Sequence, residues 1–264
     1  MNERIAGGKY RLLRLLGKGA FAEVYLAADT AGRYYACKIS KNTEMLMKEA
    51  EIQRQVKHEL FPTYAEHGTE KGSGWLMMEY VQGENLERII RSQGCFSSQE
   101  TAEIGQKLAN GIRYLHERQR PILFRDIKPS NIILSADGRV KLVDFGCACR
   151  EGDKSGIAGT AGFGAPEQFE PGNSPTITAD IYGLGKTLQA AGGKNCDNRL
   201  RAVIRRCTGI LPTERLPDMG WAEELLSVCC ETGCHGKFSN LQKAVLRGKI
   251  RVEKNIWLYE YENT

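Results

Sequence analysis

Apolar residues come first in short, strand-length runs and later in helical stripes. Up to about residue 81 the runs are Tyr10–Leu16, Val24–Ala28, Tyr34–Ile39, Phe61–His67 and Trp75–Val81, bounded by glycine or polar turns. The first three predict a meander of antiparallel strands. Residues 43–58 break this rhythm: Met45, Glu49, Ile52 and Val56 fall on one helical face at 4-3-4 spacing. An acid, Glu49, thus stands in an apolar stripe, whereas Glu44 and Glu51 point elsewhere. Lys38 likewise interrupts the run Tyr34–Ile39. A buried charge requires a partner, so both positions are singled out.

From Glu84 the pattern turns helical. Ser97-x-x-Glu100 is a capping box opening a helix to about His116, with Ile104, Leu108, Ile112 and Leu115 as its apolar face. Three short runs follow, Pro121–Phe124, Ile132–Leu134 and Val140–Val143. Residues 147–164 are rich in glycine and poor in apolar side chains, which predicts a mobile loop. A helix carrying Asp180 runs to about Ala191, and Leu200, Val203, Ile204 and Cys207 mark another. The turn between them, 192–197, is too short for a further helix, because one turn alone takes about 3.6 residues. Beyond Val228, Ile250–Val252 and Ile256–Tyr259 have strand composition.

Composition narrows the class. With 41% apolar residues in 264, the chain can bury a sizeable core. The net charge of +5 is scattered, so no basic face for nucleic acid is expected. No run of 18 apolar residues predicts a membrane span, and the polar N-terminus lacks a signal-peptide pattern. Nine irregularly spaced cysteines then suggest reduced thiols in a cytoplasmic protein. Cys229, Cys230, Cys234 and His235 could bind zinc, but no second ligand couple accompanies them, and incidental cysteines are the favoured reading.

The candidate chemistry lies between the short runs. Arg125, Asp126, Lys128 and Asn131 occupy one loop, and Asp144-Phe145-Gly146 follows a third run. One acid can take a proton from a hydroxyl; the other acid and the amide can hold Mg²⁺ through hard oxygens. Near the N-terminus, Gly17-Lys18-Gly19-Ala20-Phe21-Ala22-Glu23-Val24 would let backbone N–H groups approach phosphate oxygens.

These segments resemble the signature set of the protein kinases: H-R-D-x-K-x-x-N as Phe124-Arg125-Asp126-Ile127-Lys128-Pro129-Ser130-Asn131, D-F-G as Asp144–Gly146, A-P-E as Ala165–Glu167, and V-A-I-K as Tyr35–Lys38. The resemblance covers about Tyr10 to Val228. It is closest to eukaryotic-like (Hanks-type) serine/threonine kinases, since Lys128 follows Asp126 by two and Thr160 precedes A-P-E. A soluble bacterial member is the expected form.

The resemblance implies an α+β bilobal fold with a β-rich N-lobe (1–81), a mainly helical C-lobe (82–228) lacking most of the substrate-docking helix region, and a tail (229–264) of unassigned role. It implies ATP and Mg²⁺ (with Mn²⁺ as an alternative) and transfer of the γ-phosphoryl group to Ser/Thr hydroxyls of protein substrates. Asp126 would act on the hydroxyl and Lys128 on the transferred phosphoryl. Asn131 and Asp144 would hold the metal, and Lys38, fixed by Glu49, the α/β-phosphates. Nucleotide contacts would come from Gly17, Lys18, Gly19, Ala20, Phe21, Ala22, Val24, Ala36, Met78, Glu79, Val81 and Ile133. Asp180 would brace the catalytic loop and Arg215 would pair with Glu167. Arg125 would meet a phosphate on the activation loop, with Ser155 preferred over Thr160 as its carrier. Ala22, Phe124, Tyr182 and Gln53 depart from the family pattern; Gln53 stands where an apolar residue is usual. An ATP-binding scaffold without catalysis is the alternative, and a small-molecule kinase is disfavoured by Thr160 and Glu167. The oligomeric state is open.

Overall fold

A computed structural model describes residues 4–5, 8–153, 156–172 and 174–231, and the backbone of 250–253 and 256–259. In chain order the strands and helices are β1 (Arg4–Ile5), β2 (Tyr10–Lys18), β3 (Glu23–Asp29), β4 (Tyr34–Ser40), α1 (Thr43–Arg54), β5 (Tyr64–Glu70), β6 (Ser73–Glu79), β7 (Glu84–Asn85), α2 (Leu86–Gln93) and α3 (Ser98–His116). They continue with β8 (Ile122–Leu123), β9 (Ile132–Leu134), β10 (Val140–Leu142), β11 (Cys149–Arg150), α4 (Ile177–Gly192), α5 (Asn198–Cys207), α6 (Met219–Cys230), β12 (Ile250–Glu253) and β13 (Ile256–Tyr259). The fold is α+β, and the chain divides into two compact units, 1–83 with 133–148 and 84–132 with 149–264.

The first unit is built on a six-stranded sheet in the order β1-β2-β3-β4-β6-β5. The meander expected over the first three runs is its centre, widened by β1 and the β5–β6 hairpin. That hairpin turns at Lys71-Gly72, both with positive φ (49° and 75°), the geometry that suits the right-handed twist of paired strands. Alternation along β6 fixes the two faces. Trp75 and Met77 join Tyr10, Leu12, Tyr25 and Cys37 on one side. Leu76 and Met78 meet Leu46 and Ala50 of α1 on the other. Lys38 lies opposite Leu76 in the ladder and so shares the α1 face.

Helix α1 differs from its sequence expectation in length and phase. It is capped by the Asn42 side chain and ends at Arg54, four residues early. Its buried face is Leu46, Glu49, Ala50 and Gln53, while Met45 is 37% exposed. Only Glu49 is common to both stripes. The shift follows from the sheet, whose Leu76–Met78 ridge receives the small Ala50, and from Gln53, which is buried because its amide finds acceptors.

In the second unit α3 opens with the expected capping box, Ser97 with Glu100. Its face Ile104, Leu108, Ile112 and Leu115 is buried, and it packs on α6 and α4. Leu200, Val203, Ile204 and Cys207 form the buried face of α5. Between α4 and α5 only Gly193–Asp197 intervene, part of it a single 3₁₀ turn, so no docking helix is present there. The two expected tail strands pair antiparallel, with Ile250 opposite Tyr259. Among the described residues no helix is long and apolar enough to cross a membrane.

Candidate active site

In the first unit β4 presents Lys38 and α1 presents Glu49. Lys38 Nζ lies 2.8 and 2.7 Å from the two Glu49 carboxylate oxygens and 2.6 Å from Asp144 Oδ1. Glu49 is 4% exposed and Lys38 9%. Burial alone would lower the Lys38 pKa, but the charges of Glu49 and Asp144 outweigh it and hold it above the ordinary range. Burial raises the Glu49 carboxyl despite the pull of Lys38. A single ammonium thus faces two carboxylates and cannot neutralise both. The surplus negative charge suits a divalent cation, and carboxylate oxygens are the hard donors it takes.

Asp144 is held in a left-handed backbone conformation (φ 77°) and accepts from the Gly146 N–H at 3.0 Å. A Cβ on Gly146 would stand 2.9 Å from Asp144 Oδ1 and 3.2 Å from Lys38 Nζ, so this approach needs glycine. Phe145 is buried against Phe61, with ring centroids 5.2 Å apart. Gln53, the departure from the family pattern, donates to the Pro62 carbonyl (3.1 Å) and lies 3.6 Å from Met78 Sδ. Its buried amide is thereby satisfied.

The remaining first-unit candidates lie along the sheet and its connections. Gly17 and Lys18 end β2 opposite Val24 and Glu23, and Gly19 N–H bonds the Ala22 carbonyl to close the turn over Ala20 and Phe21. Phe21 is 71% exposed at its tip. Ala36 lies opposite both Leu26 and Met78 in the sheet. The Glu79 N–H donates to the Thr63 carbonyl (2.8 Å). Val81 is half-buried beyond β6. Ile133 Cγ2 crowds Gly83, where an added Cβ would come within 2.8 Å.

The second unit holds the other candidates, Asp126, Lys128 and Asn131. Asp126 is 7% exposed. Its Oδ2 lies 2.7 Å from Lys128 Nζ, and its Oδ1 accepts from the Thr160 hydroxyl at 2.7 Å. Thr160 in turn accepts from Lys128 at 2.6 Å, closing a triangle. Asn131 donates through Nδ2 to the Asp126 carbonyl (3.0 Å) and to Oδ2 (3.1 Å), which turns its amide oxygen the opposite way. Beneath this loop Asp180 accepts from the N–H groups of Phe124 (2.8 Å) and Arg125 (2.6 Å). It thereby secures the left-handed turn at Arg125, φ 68°. Arg215 and Glu167 form a bidentate pair at 2.6 and 2.8 Å.

Three positioning residues carried no motif signal. His116 bonds Asp180 at 2.9 Å. Gln168 donates to the carbonyls of Arg125 and Ala158 and accepts from the Ala165 N–H. Lys141 pairs with Glu79 at 2.9 Å. Ser155, Cys234 and His235 lie outside the described residues, so the phosphate-carrier and zinc readings are left where the sequence put them.

Residues 10–195 match the protein kinase domain, and the chain belongs to that family. Members of the family use ATP with a divalent cation. The chain is 32% identical over 213 residues to a probable serine/threonine-protein kinase PknB of Bifidobacterium longum, a match covering 71% of this chain and 30% of that protein. It is 31% identical over 202 residues to the serine/threonine-protein kinase PrkC of Bacillus subtilis, covering 71% and 31% respectively. A probable serine/threonine-protein kinase, CPE1738, of Clostridium perfringens is 32% identical over 200 residues. The matched part spans about a third of the length of these relatives.

Proposed function

We propose that this chain is a serine/threonine protein kinase that transfers the γ-phosphoryl group of ATP to hydroxyls of protein substrates. The observation that carries the reading is the triangle of Asp126, Lys128 and Thr160. A threonine hydroxyl there donates to a buried carboxylate and accepts from an ammonium. A substrate hydroxyl held the same way would be aligned for attack, its proton passing to Asp126 as the new bond forms. Lys128 would offset charge on the phosphoryl group in transit. Lys38, fixed by Glu49, would hold the α/β-phosphates beneath the glycine loop. Asp144 and Asn131 each offer a hard oxygen to Mg²⁺, which when bound neutralises phosphate charge.

Substrate choice would rest on more than the cleft. The link from α4 to α5 carries no docking helix, and Ser130 puts no acid in the catalytic loop. Short peptides should be poor and unselective substrates, with selectivity supplied by a folded partner or by residues 229–264. The nine cysteines support a reducing compartment, which we take to be the cytoplasm.

Incubation with γ-labelled ATP and Mg²⁺, with and without a general protein substrate, tests the reading. Label on protein serine or threonine is expected. Nucleotide binding with no transfer to substrate or to the chain itself would make it a scaffold instead.

A further inference from the structure

Strand β10 is buried along its whole length, and its middle residue is a lysine. Lys141 is 7% exposed, and a charge so placed needs a partner. Its Nζ donates to the Phe61 carbonyl at 3.2 Å and lies 2.9 Å from Glu79 Oε2. It is the one cation within 4 Å of Glu79 among the described residues. The same Oε2 accepts from the Thr63 N–H at 3.0 Å and from the Thr63 hydroxyl at 3.3 Å. The Glu79 N–H returns a bond to the Thr63 carbonyl. Burial alone would raise the Glu79 carboxyl, but the Thr63 N–H and Lys141 hold it below the ordinary range. Beside this group the Leu142 N–H donates to the Leu60 carbonyl at 2.8 Å, which ties β10 to the same segment.

Glu79 ends β6, so these bonds set where the chain leaves the sheet toward Val81. We propose, resting on the ATP reading above, that Lys141 is a positioning residue for base recognition, acting through Glu79 to fix the backbone at 79–81. It neutralises the Glu79 carboxylate and so keeps that side chain on Thr63. Without the ammonium, a half-buried carboxylate gains by turning to water, and the Thr63 side-chain bonds are lost with it. The backbone at 79–81 then loses its register. Register is what reads a base: adenine carries an amino donor where guanine carries a carbonyl acceptor. Lys38 and Asp144, by contrast, would meet the phosphates and metal of either nucleotide alike. Lys141 thus bears on which base is taken and not on the phosphoryl group.

The test is binding of ATP and of GTP, each with Mg²⁺, to the full chain by calorimetry, with no protein substrate present. In folded Lys141→Met the Kd for ATP should rise about tenfold, as for loss of one charge-assisted bond, and the Kd for GTP by no more than about twofold. Glu79→Gln should also weaken ATP binding, and the two losses should not add in the double variant, since one residue acts through the other. A lysine that merely supports the fold would lower stability, or both affinities together. Equal losses for the two nucleotides, an unchanged Kd for ATP, or additive losses in the double variant would each overturn the proposal. Lys141→Gln, which keeps a neutral donor, carries the same comparison if Lys141→Met does not fold. An unaltered chain that binds neither nucleotide would overturn the ATP reading itself, and the proposal with it; that outcome is seen before any variant is measured.

Discussion

Replacing Arg215 with methionine removes the most completely bonded cation in the second unit. All five of its N–H donors are used: Nε on the Gly209 carbonyl (2.8 Å), Nη1 on Glu167 and the Thr178 carbonyl (3.0 Å), Nη2 on Glu167 and the Ile210 carbonyl (2.9 Å). Its side chain is fully buried, and its guanidinium carbon sits 4.9 Å from the Tyr182 ring centroid. Methionine matches the volume but strands one carboxylate and three carbonyls. Breaking a buried ion pair from one side costs about 3–5 kcal/mol. Each carbonyl that cannot reach water adds roughly 1 kcal/mol. A loss of about 6–8 kcal/mol is therefore expected, a large part of the ~5–15 kcal/mol that stabilises a typical domain. Arg215→Lys keeps the charge, but three donors cannot serve five acceptors, and an intermediate loss is expected. Glu167→Gln keeps the three carbonyl bonds and should cost least. Urea unfolding followed by far-UV circular dichroism gives the ranking. A loss below about 1.5 kcal/mol for Arg215→Met, or one no larger than for Glu167→Gln, would refute the reasoning, because breakage of a buried pair typically costs more.

Three further outcomes are expected. Thr160→Val removes the hydroxyl that joins Asp126 to Lys128; loss of charge-assisted bonds of about 1.5–3 kcal/mol should slow transfer roughly 10–100-fold with nucleotide affinity unchanged, read by steady-state kinetics and calorimetry. Gln53→Leu restores the residue type usual in the family but strands the Pro62 carbonyl, and should destabilise by about 1–2 kcal/mol in urea unfolding rather than stabilise. Burial pushes the Cys37, Cys207 and Cys229 thiols up to about 12. They stay protonated at neutral pH, so native alkylation should spare all three and denaturation should expose them.

Lys38 and Glu49 were legible as positions because each charge interrupts an otherwise apolar pattern, while their pairing came from the family resemblance; the capping box of α3 and the short α4–α5 link were legible because they are local. The phase of α1 was not, since a helix turns its face to whatever the sheet offers, and Ala50 and Gln53 suit that surface better than Met45 and Ile52. The bracing residues were hidden for a different reason. His116 meets Asp180 across 64 positions, Lys141 meets Glu79 across 62, and Gln168 meets Arg125 across 43. No local pattern marks an amide or an imidazole whose partner is fixed only by tertiary packing.

The central claim, that Asp126 acts on the incoming hydroxyl and not on the nucleotide, is tested most directly by Asp126→Asn. The amide keeps the shape of the side chain and can still meet Thr160 and Asn131, but it cannot accept the proton. The account predicts ATP–Mg²⁺ affinity within about twofold of the unaltered chain and transfer to protein reduced by roughly 10²–10⁴-fold, the usual contribution of a general base. Transfer by Asp126→Asn at close to the unaltered rate would contradict it.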